Sequence, residues 1–245
     1  MNTSAKKDFK ISLIIPAYNE EKYIGACLEH VIKNSDGKFF EIIVVDNKST
    51  DRTAEITKSF PGVKVVREEQ KGLTYARQRG FIEAKGDILA YVDADTRMPR
   101  GYYEKVVHEF NKNSNLVCFS GPHEYYDIKR FHQVLVKIFW KTIAFPIYVL
   151  VGYMTIGVNF AIRKETLEKM NGFDTSIIFY GEDTDIARRA HKYGKVKFST
   201  NFGMPTSGRR LTHYGILKTS FIYVINFVYE VVFHKPQTML YKDIR

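Results

Sequence analysis

Three short stretches of the chain carry side chains whose types and spacing suit chemistry. In "ILAYVDADTRMP" an apolar run ends in Asp93 and Asp95, with Ala94 between them. Residues i and i+2 of a strand point to the same side, so the two carboxylates face one spot and repel. A hard divalent cation relieves that repulsion, sharing its shell with phosphate oxygens and waters while taking only one or two protein carboxylates. In "FYGEDTDIARR" three acids, Glu182, Asp183 and Asp185, follow an aromatic-glycine turn. Acids in a first helical turn favour the positive end of the helix dipole, which accounts for one of them. A carboxylate crowded by other negative charge has a raised pKa and suits a general base. In "SGRRLTHYG", Arg209 and Arg210 suit a leaving diphosphate, while His213 either completes a metal shell or lies on a helix face.

The elements that must position these groups are legible in the hydrophobic pattern. "ISLIIPAY" reads as a buried strand, followed by a helical repeat of Ile24, Cys27, Leu28, Val31 and Ile32, with Asn19 as its expected N-cap. "FEIIVVD" is a second strand, and Asp51 or Thr50 is placed to cap the helix "RTAEITKSF". "VKVVRE" is a third strand. "LTYARQRGFIEAKG" puts Leu73, Ala76, Arg77, Gly80, Phe81 and Ala84 on one helical face, with Gly86 as a left-handed stop. "ILAYVDAD" is the fourth strand. This alternation predicts a parallel sheet with right-handed crossovers and a ligand at the carboxyl ends of its strands. Tyr18-Asn19-Glu20, Asp46-Asn47 and Asp93-Ala94-Asp95 close three of the four strands. Further on, "LVCFSG", "VNFAIRKE" and "KVKFST" read as strands of the same sheet. "KETLEKMNGF" and "EDTDIARRAHKYG" read as helices, the second stopped by Gly194.

The chain has 245 residues, 44% of them apolar, and a formal charge of +10 at pH 7. That length suits a sizeable α/β core, and the composition excludes a disordered chain or a bundle of membrane spans. Such a charge attracts phosphate, on a small ligand or an anionic lipid surface. The basic residues are dispersed and form no nucleic-acid motif, so no nucleic-acid partner is expected. Cys27 and Cys118 sit in apolar runs without metal-site spacing and are expected to be buried, reduced thiols of a cytosolic-side protein. "MNTSAKKDFK" has no apolar core of the secretory type.

Four motifs, "SLIIPAYNEEKYI", "EIIVVDNKSTDRT", "KGLTYARQRGFIEAKGDILAYVDAD" and "GEDTDIARRAHKYG", together resemble the inverting family-two glycosyltransferases of GT-A fold, over about residues 9 to 200. The resemblance implies an α/β fold of GT-A type: a Rossmann-like, mostly parallel central sheet flanked by helices, with C-terminal amphipathic helices. It implies one domain over residues 1–245. Residues 9–100 would bind the nucleotide sugar, 101–205 the acceptor, and 206–245 would form a helical, membrane-associating segment. Pro16, Ala17, Tyr18 and Glu20 would lie along base and ribose, and Asp46 would read the nucleobase edge. Lys71 and Arg77 would line the nucleotide and its phosphates. Asp93 and Ala94 would lie near the ribose or metal, with Asp95 as main ligand of Mn²⁺ or Mg²⁺; His213 matches a metal-binding histidine by rough position. Asp183 would be the base and Glu182 its substitute, acting on a hydroxyl acceptor in cell-envelope polysaccharide or glycolipid synthesis. The donor would be a nucleotide-diphospho-sugar, a UDP-sugar ahead of a GDP- or dTDP-sugar.

Residues 142–162 hold no formal charge, but Pro146, Gly152, Gly157 and Asn159 interrupt them. The mixture of Lys137, Lys141, Phe139, Trp140 and Tyr148 suits a helix lying in a membrane interface. "ILKTSFIYVINFVYEVVFHK", flanked by Lys218 and Lys235, is similar. With the positive charge, these segments predict peripheral attachment to the cytosolic face of an anionic membrane and a lipid-linked acceptor. Competing readings are transfer to polyprenyl phosphate, which needs no base, a nucleotidyltransferase, which lacks its Gly-rich loop in "PAYNEEKYI", and a non-enzymatic scaffold that binds sugar nucleotides or membrane.

Overall fold

The computed structural model describes residues 7–177 and 180–233. Six elements alternate before the first carboxylate pair: β1 (Ile11–Ala17), α1 (Ile24–Ser35), β2 (Glu41–Asp46), α2 (Thr53–Lys58), β3 (Val63–Arg67) and α3 (Leu73–Glu83). Then come β4 (Ile88–Val92), α4 (Tyr102–Lys112), β5 (Leu116–Ser120) and β6 (His123–Tyr125). A long helix follows as α5 (Arg130–Phe139), a π-helical turn (Trp140–Ala144) and α6 (Phe145–Val151). The remainder is β7 (Asn159–Arg163), α7 (Lys164–Lys169), α8 (Glu182–His191), β8 (Lys195–Phe198), β9 (Met204–Thr206), α9 (Arg209–Tyr214) and α10 (Ile216–Phe233).

Seven strands form one sheet in the order β3-β2-β1-β4-β7-β5-β8. All pairings are parallel except those of β7, which runs antiparallel to β4 and β5. The mostly parallel α/β sheet is therefore as expected, and the second half continues it. β1 is buried along its whole length, as a strand covered by helices on both faces should be. Pro16 is tolerated inside it because pairing with β4 ends at Ile14↔Tyr91, so no ladder bond on that side needs its missing N–H. One core cluster packs α1 and α4 against one face, and another packs α3, α7 and α8 against the other. Cys27 and Cys118 are free and buried, and burial pushes both thiols up to about 12.

Several local expectations are corrected by tertiary contacts. Asn19 does not cap α1, which begins only at Ile24. It adopts a positive φ and its Oδ1 accepts from Thr50 N–H, tying the end of β1 to the loop after β2. Ile32 is exposed although it shares the helical repeat. Neither Asp51 nor Thr50 is the N-cap of α2, which is Arg52, although Asp51 Oδ1 accepts from Thr53 N–H at 3.0 Å just before the helix. Gly86 and Gly194 are not left-handed stops. A Cβ on Gly86 would lie 2.7 Å from Lys10 O, and one on Gly194 would lie 2.6 Å from Asn115 O, so each glycine permits a close backbone crossing. Gly80 likewise lets α3 sit directly on Ile14 of β1.

The parallel ribbon β6–β9 had no sequence signal. It bridges to the segment after β4 through Thr96↔Thr206, and Arg97 N–H donates to Pro205 O at 2.8 Å. This places residues 204–209 over the first carboxylate pair.

The 130–151 helix is long and apolar enough to cross a membrane by length and composition. It lies on the domain through one stripe at i, i+4 spacing, Val136, Trp140, Ala144 and Tyr148. Its other faces expose apolar side chains, with Phe131 at 69% and Leu150 at 87%. Helix α10 exposes Val224, Val228, Val232 and Phe233. The side chain of Lys218 and residues 234–245, with Lys235, lie outside the described residues.

Candidate active site

The carboxyl ends of β1, β2 and β4 meet at one edge of the sheet and deliver the expected groups there. At β4, Asp95 is held from two sides. Its Oδ1 accepts from Thr206 Oγ1 at 2.9 Å, and its Oδ2 lies 3.1 Å from an Arg209 amine. Arg209 also forks onto Glu20, at 2.8 Å to Oε2 and 2.5 Å to Oε1, with its guanidinium over the Tyr23 ring. The positive charge demanded by the DxD pair is thus met by an arginine from a helix more than a hundred residues away. Burial lifts the Asp95 carboxyl to about 6 despite Arg209, and the charges of Glu20 and Asp93 add to the lift. Glu20 and Asp95 together hold Arg209 above its ordinary value against the opposing effect of burial.

A second network starts at Arg77, which is 1% exposed. One of its amines pairs with Glu182 Oε1, and the other donates to Gly157 O at 2.8 Å and lies 3.6 Å from Asp93 Oδ1. Glu182 accepts from Asp183 N–H, while Asp183 Oδ2 accepts from Gly157 N–H at 3.2 Å and its Oδ1 from Thr184 N–H at 2.9 Å. Burial and the neighbouring Asp183 raise Glu182 to about 8, against the pull of Arg77. Burial also raises Asp183. The motif's third acid serves the scaffold instead. Asp185 binds Arg188 at 2.7 Å and Arg189 at 2.8 Å, and Arg188 reaches Glu230 of α10 at 3.2 Å.

Other expected residues are distributed along the same edge. Pro16 and Ala17 are buried in β1, and Ala94 is buried between the two aspartates. Lys71 Nζ lies over the Tyr18 ring and donates to its hydroxyl at 2.7 Å. Asp46 is 1% exposed, accepting from Ser49 N–H at 3.1 Å and from Arg67 at 2.8 Å. Asn47 Oδ1 accepts from Gly72 N–H at 2.8 Å, and its amide donates to Gln70 O at 2.6 Å, fixing the segment that carries Lys71. Arg210 is partly buried beside Arg209.

Three of the expected residues have these surroundings. Arg77 does not present its guanidinium at the surface for a phosphate; it is a buried bridge between Asp93 and the Glu182–Asp183 pair. Glu20 is held by Arg209. His213 stands exposed in the last turn of α9, and no group of three or more His, Cys, Asp or Glu side chains able to hold a metal forms among the described residues. Arg67, Gly157 and Thr206 were missed. Only Gly157 had a signal, as an interruption of the uncharged 142–162 run.

The donor set nonetheless fits a hard divalent cation. It consists of carboxylate oxygens, Asp93 is 38% exposed, and three acids crowd one edge, where burial and then the charges of Glu20 and Asp93 raise Asp95. Asp93 and Asp95 would hold Mg²⁺ or Mn²⁺, with phosphate oxygens and waters filling the shell.

A mostly parallel sheet with a DxD pair at the end of its fourth strand and a buried acid pair opening a later helix defines a GT-A glycosyltransferase. The model of glycosyl transferase family 2 matches residues 12–170, and the chain belongs to that family. Glycosyltransferase AglE of Haloferax volcanii is 36% identical over 200 residues, covering 75% of this chain and 62% of that protein. Dolichol-phosphate mannosyltransferase of Pyrococcus furiosus is 37% identical over 116 residues, 45% of this chain and 33% of that protein. The chain thus spans less than two thirds of the length of either relative. Among solved structures, the mannosyltransferase PcManGT from Pyrobaculum calidifontis, in complex with GDP-Man and Mn²⁺, shares the fold. Its TM-score is 0.68 at 20% identity, over 92% of this chain and 63% of that one. Glucosyl-3-phosphoglycerate synthase from Mycobacterium tuberculosis, with Mn²⁺, UDP and phosphoglyceric acid, gives 0.62 at 19% identity, over 90% and 76%.

Proposed function

We propose that this glycosyltransferase moves a sugar from a nucleoside diphosphate to an acceptor hydroxyl with inversion, and does so at a membrane surface. The observation that supports this reading best is the Arg77 bridge. It joins Asp93, on the donor side, to the buried Glu182–Asp183 pair in one rigid network, so the phosphate-facing and proton-accepting groups keep a set relation. Asp183 takes the proton of the attacking hydroxyl, and its raised pKa strengthens it as a base. Glu182 and Gly157 orient it. Arg209, beside Asp95, and its neighbour Arg210 would neutralise the departing diphosphate. A divalent cation, when bound at Asp93 and Asp95, would neutralise charge on that diphosphate. Attack from the face opposite the leaving group inverts the anomeric carbon in one displacement. Asp46, Tyr18 and Lys71 line the nucleoside end, where a UDP-sugar is the first candidate donor and GDP- and dTDP-sugars follow.

The exposed apolar faces of residues 130–151 and of α10 support peripheral attachment at the cytosolic face of an anionic membrane. They also favour a second reading, transfer to a polyprenyl phosphate, which the likeness to a dolichol-phosphate mannosyltransferase supports. That acceptor is already ionised and needs no base. Nucleoside diphosphate release from a panel of UDP-, GDP- and dTDP-sugars with Mn²⁺ identifies the donor. Asp183→Asn is expected to abolish transfer to a hydroxyl while keeping metal-dependent donor binding, whereas Asp95→Ala loses both. Full transfer by Asp183→Asn would sink the base assignment and leave the polyprenyl-phosphate reading standing.

A further inference from the structure

Beside the active site, a separate cavity of about 590 Å³ lies between residues 99–102, residues 200–203 and the apolar helix. Four cations line it, Arg100 and Lys105 from the domain and Lys137 and Lys141 from the helix, against one acid, Glu124. Glu124 is paired with Lys137 at 3.2 Å. Among the described residues, the other three cations have no carboxylate partner. The wall also contains Trp140, which is 7% exposed and whose indole Nε1–H is buried without an acceptor. The four cations exceed the one acid, so an anionic occupant is favoured there.

The helix places Trp140 by its geometry. Trp140 opens the π-helical turn, and the turn's Trp140 and Ala144 are the buried residues of a segment that otherwise exposes apolar side chains. Such π turns re-aim side chains and recur at functional sites. The cavity therefore has an aromatic wall, an excess of positive charge around it, and an apolar surface running away from it.

We infer that this cavity binds a phosphate group, held by Arg100, Lys105, Lys137 and Lys141 beside the Trp140 ring, with the headgroup of an amphiphile as the source that the adjoining apolar helix favours. The inference rests on the membrane reading above only for that source. None of these five residues is one to which donor binding or catalysis is assigned, although Pro205, in the ribbon over the carboxylate pair, also lines the cavity.

Trp140 is the only tryptophan of the chain, so its emission reports on the cavity without a label. The full chain is titrated with inorganic phosphate, with short-chain phosphatidic acid below its micelle concentration, and with dioctanoylglycerol, which has no phosphate. A saturable change with phosphatidic acid is expected, none with dioctanoylglycerol, and at least tenfold weaker binding in the Arg100→Gln, Lys105→Gln double variant. Tighter binding of phosphatidic acid than of inorganic phosphate assigns the headgroup; equal binding assigns free phosphate. No saturable change with either phosphate, an equal response to dioctanoylglycerol, or an unchanged response in the double variant overturns the site. Flotation with anionic vesicles keeps the two readings apart. A chain that does not float yet responds to phosphate loses the membrane reading and keeps the cavity; one that floats without a response loses the cavity.

Discussion

Replacing Gly157 by Ala would place one methyl inside the network that joins the two carboxylate sites. Its Cβ would lie 2.8 Å from an Arg77 amine and 2.8 Å from Glu182 Oε1. Ordinary contact needs roughly 3.5 Å, so these groups must separate from the new methyl by about 0.7 Å. Arg77 has little room to yield, being enclosed and bound to Glu182, Gly157 O and Asp93. Overpacking of this kind costs about 1–3 kcal/mol. For a chain of this size that lowers Tm by roughly 2–12 °C. The larger effect is expected on rate, because Asp183 takes its orientation from Gly157 N–H and from Glu182. A displacement near 1 Å at a reacting group costs on the order of 100-fold in kcat. Steady-state kinetics on the donor found by the panel, with calorimetry on the same samples, measure both. A Gly157→Ala enzyme with unchanged kcat would refute the claim that this network holds the base.

Three further outcomes are expected. Glu182 is raised from 4.5 to about 8, so it favours the folded state fully below 4.5 and that contribution is lost as pH rises through 8. Glu182→Gln should therefore flatten the fall in Tm between those limits, and a parallel pH profile in both proteins would contradict the assignment. Arg188→Met removes the cation 3.2 Å from Glu230, which is fully buried on α10. Arg188 also holds Asp185 of α8 at 2.7 Å, so faster hydrogen exchange in α10 and a lower Tm should appear together. Changing the exposed Phe131 and Leu150 to Glu should reduce flotation with anionic vesicles while leaving Tm within about 4 °C, since each surface substitution away from packed features shifts stability by about 0.5 kcal/mol. Unchanged flotation would remove this helix from the membrane contact.

Much of the molecule was legible before folding. Periodicity separated β1 to β4 from α1 to α3 because each of those elements buries one repeating face within a few residues of sequence. The DxD and Glu-Asp pairs were legible for the same reason: their mutual repulsion depends on spacing alone. Gly86 and Gly194 show where local rules stop, since both resemble helix stops yet serve as crossings with distant backbone. The ribbon β6–β9 joins two three-residue strands that are too short for a pattern of their own.

Sequence by itself thus determined the α/β alternation, the sheet edge where the carboxylates gather, and the two pairs of acids that must be compensated. Only the tertiary structure decided what compensates them. Arg209 reaches Asp95 and Glu20 across more than a hundred residues, and Arg77, close to Asp93 along the chain, joins it to Glu182 more than a hundred residues further on. Compensation at such sites is electrostatic and short-ranged in space but indifferent to position along the chain. An acidic pair therefore announces that it needs a positive neighbour, and only the fold selects which arginine is buried beside it.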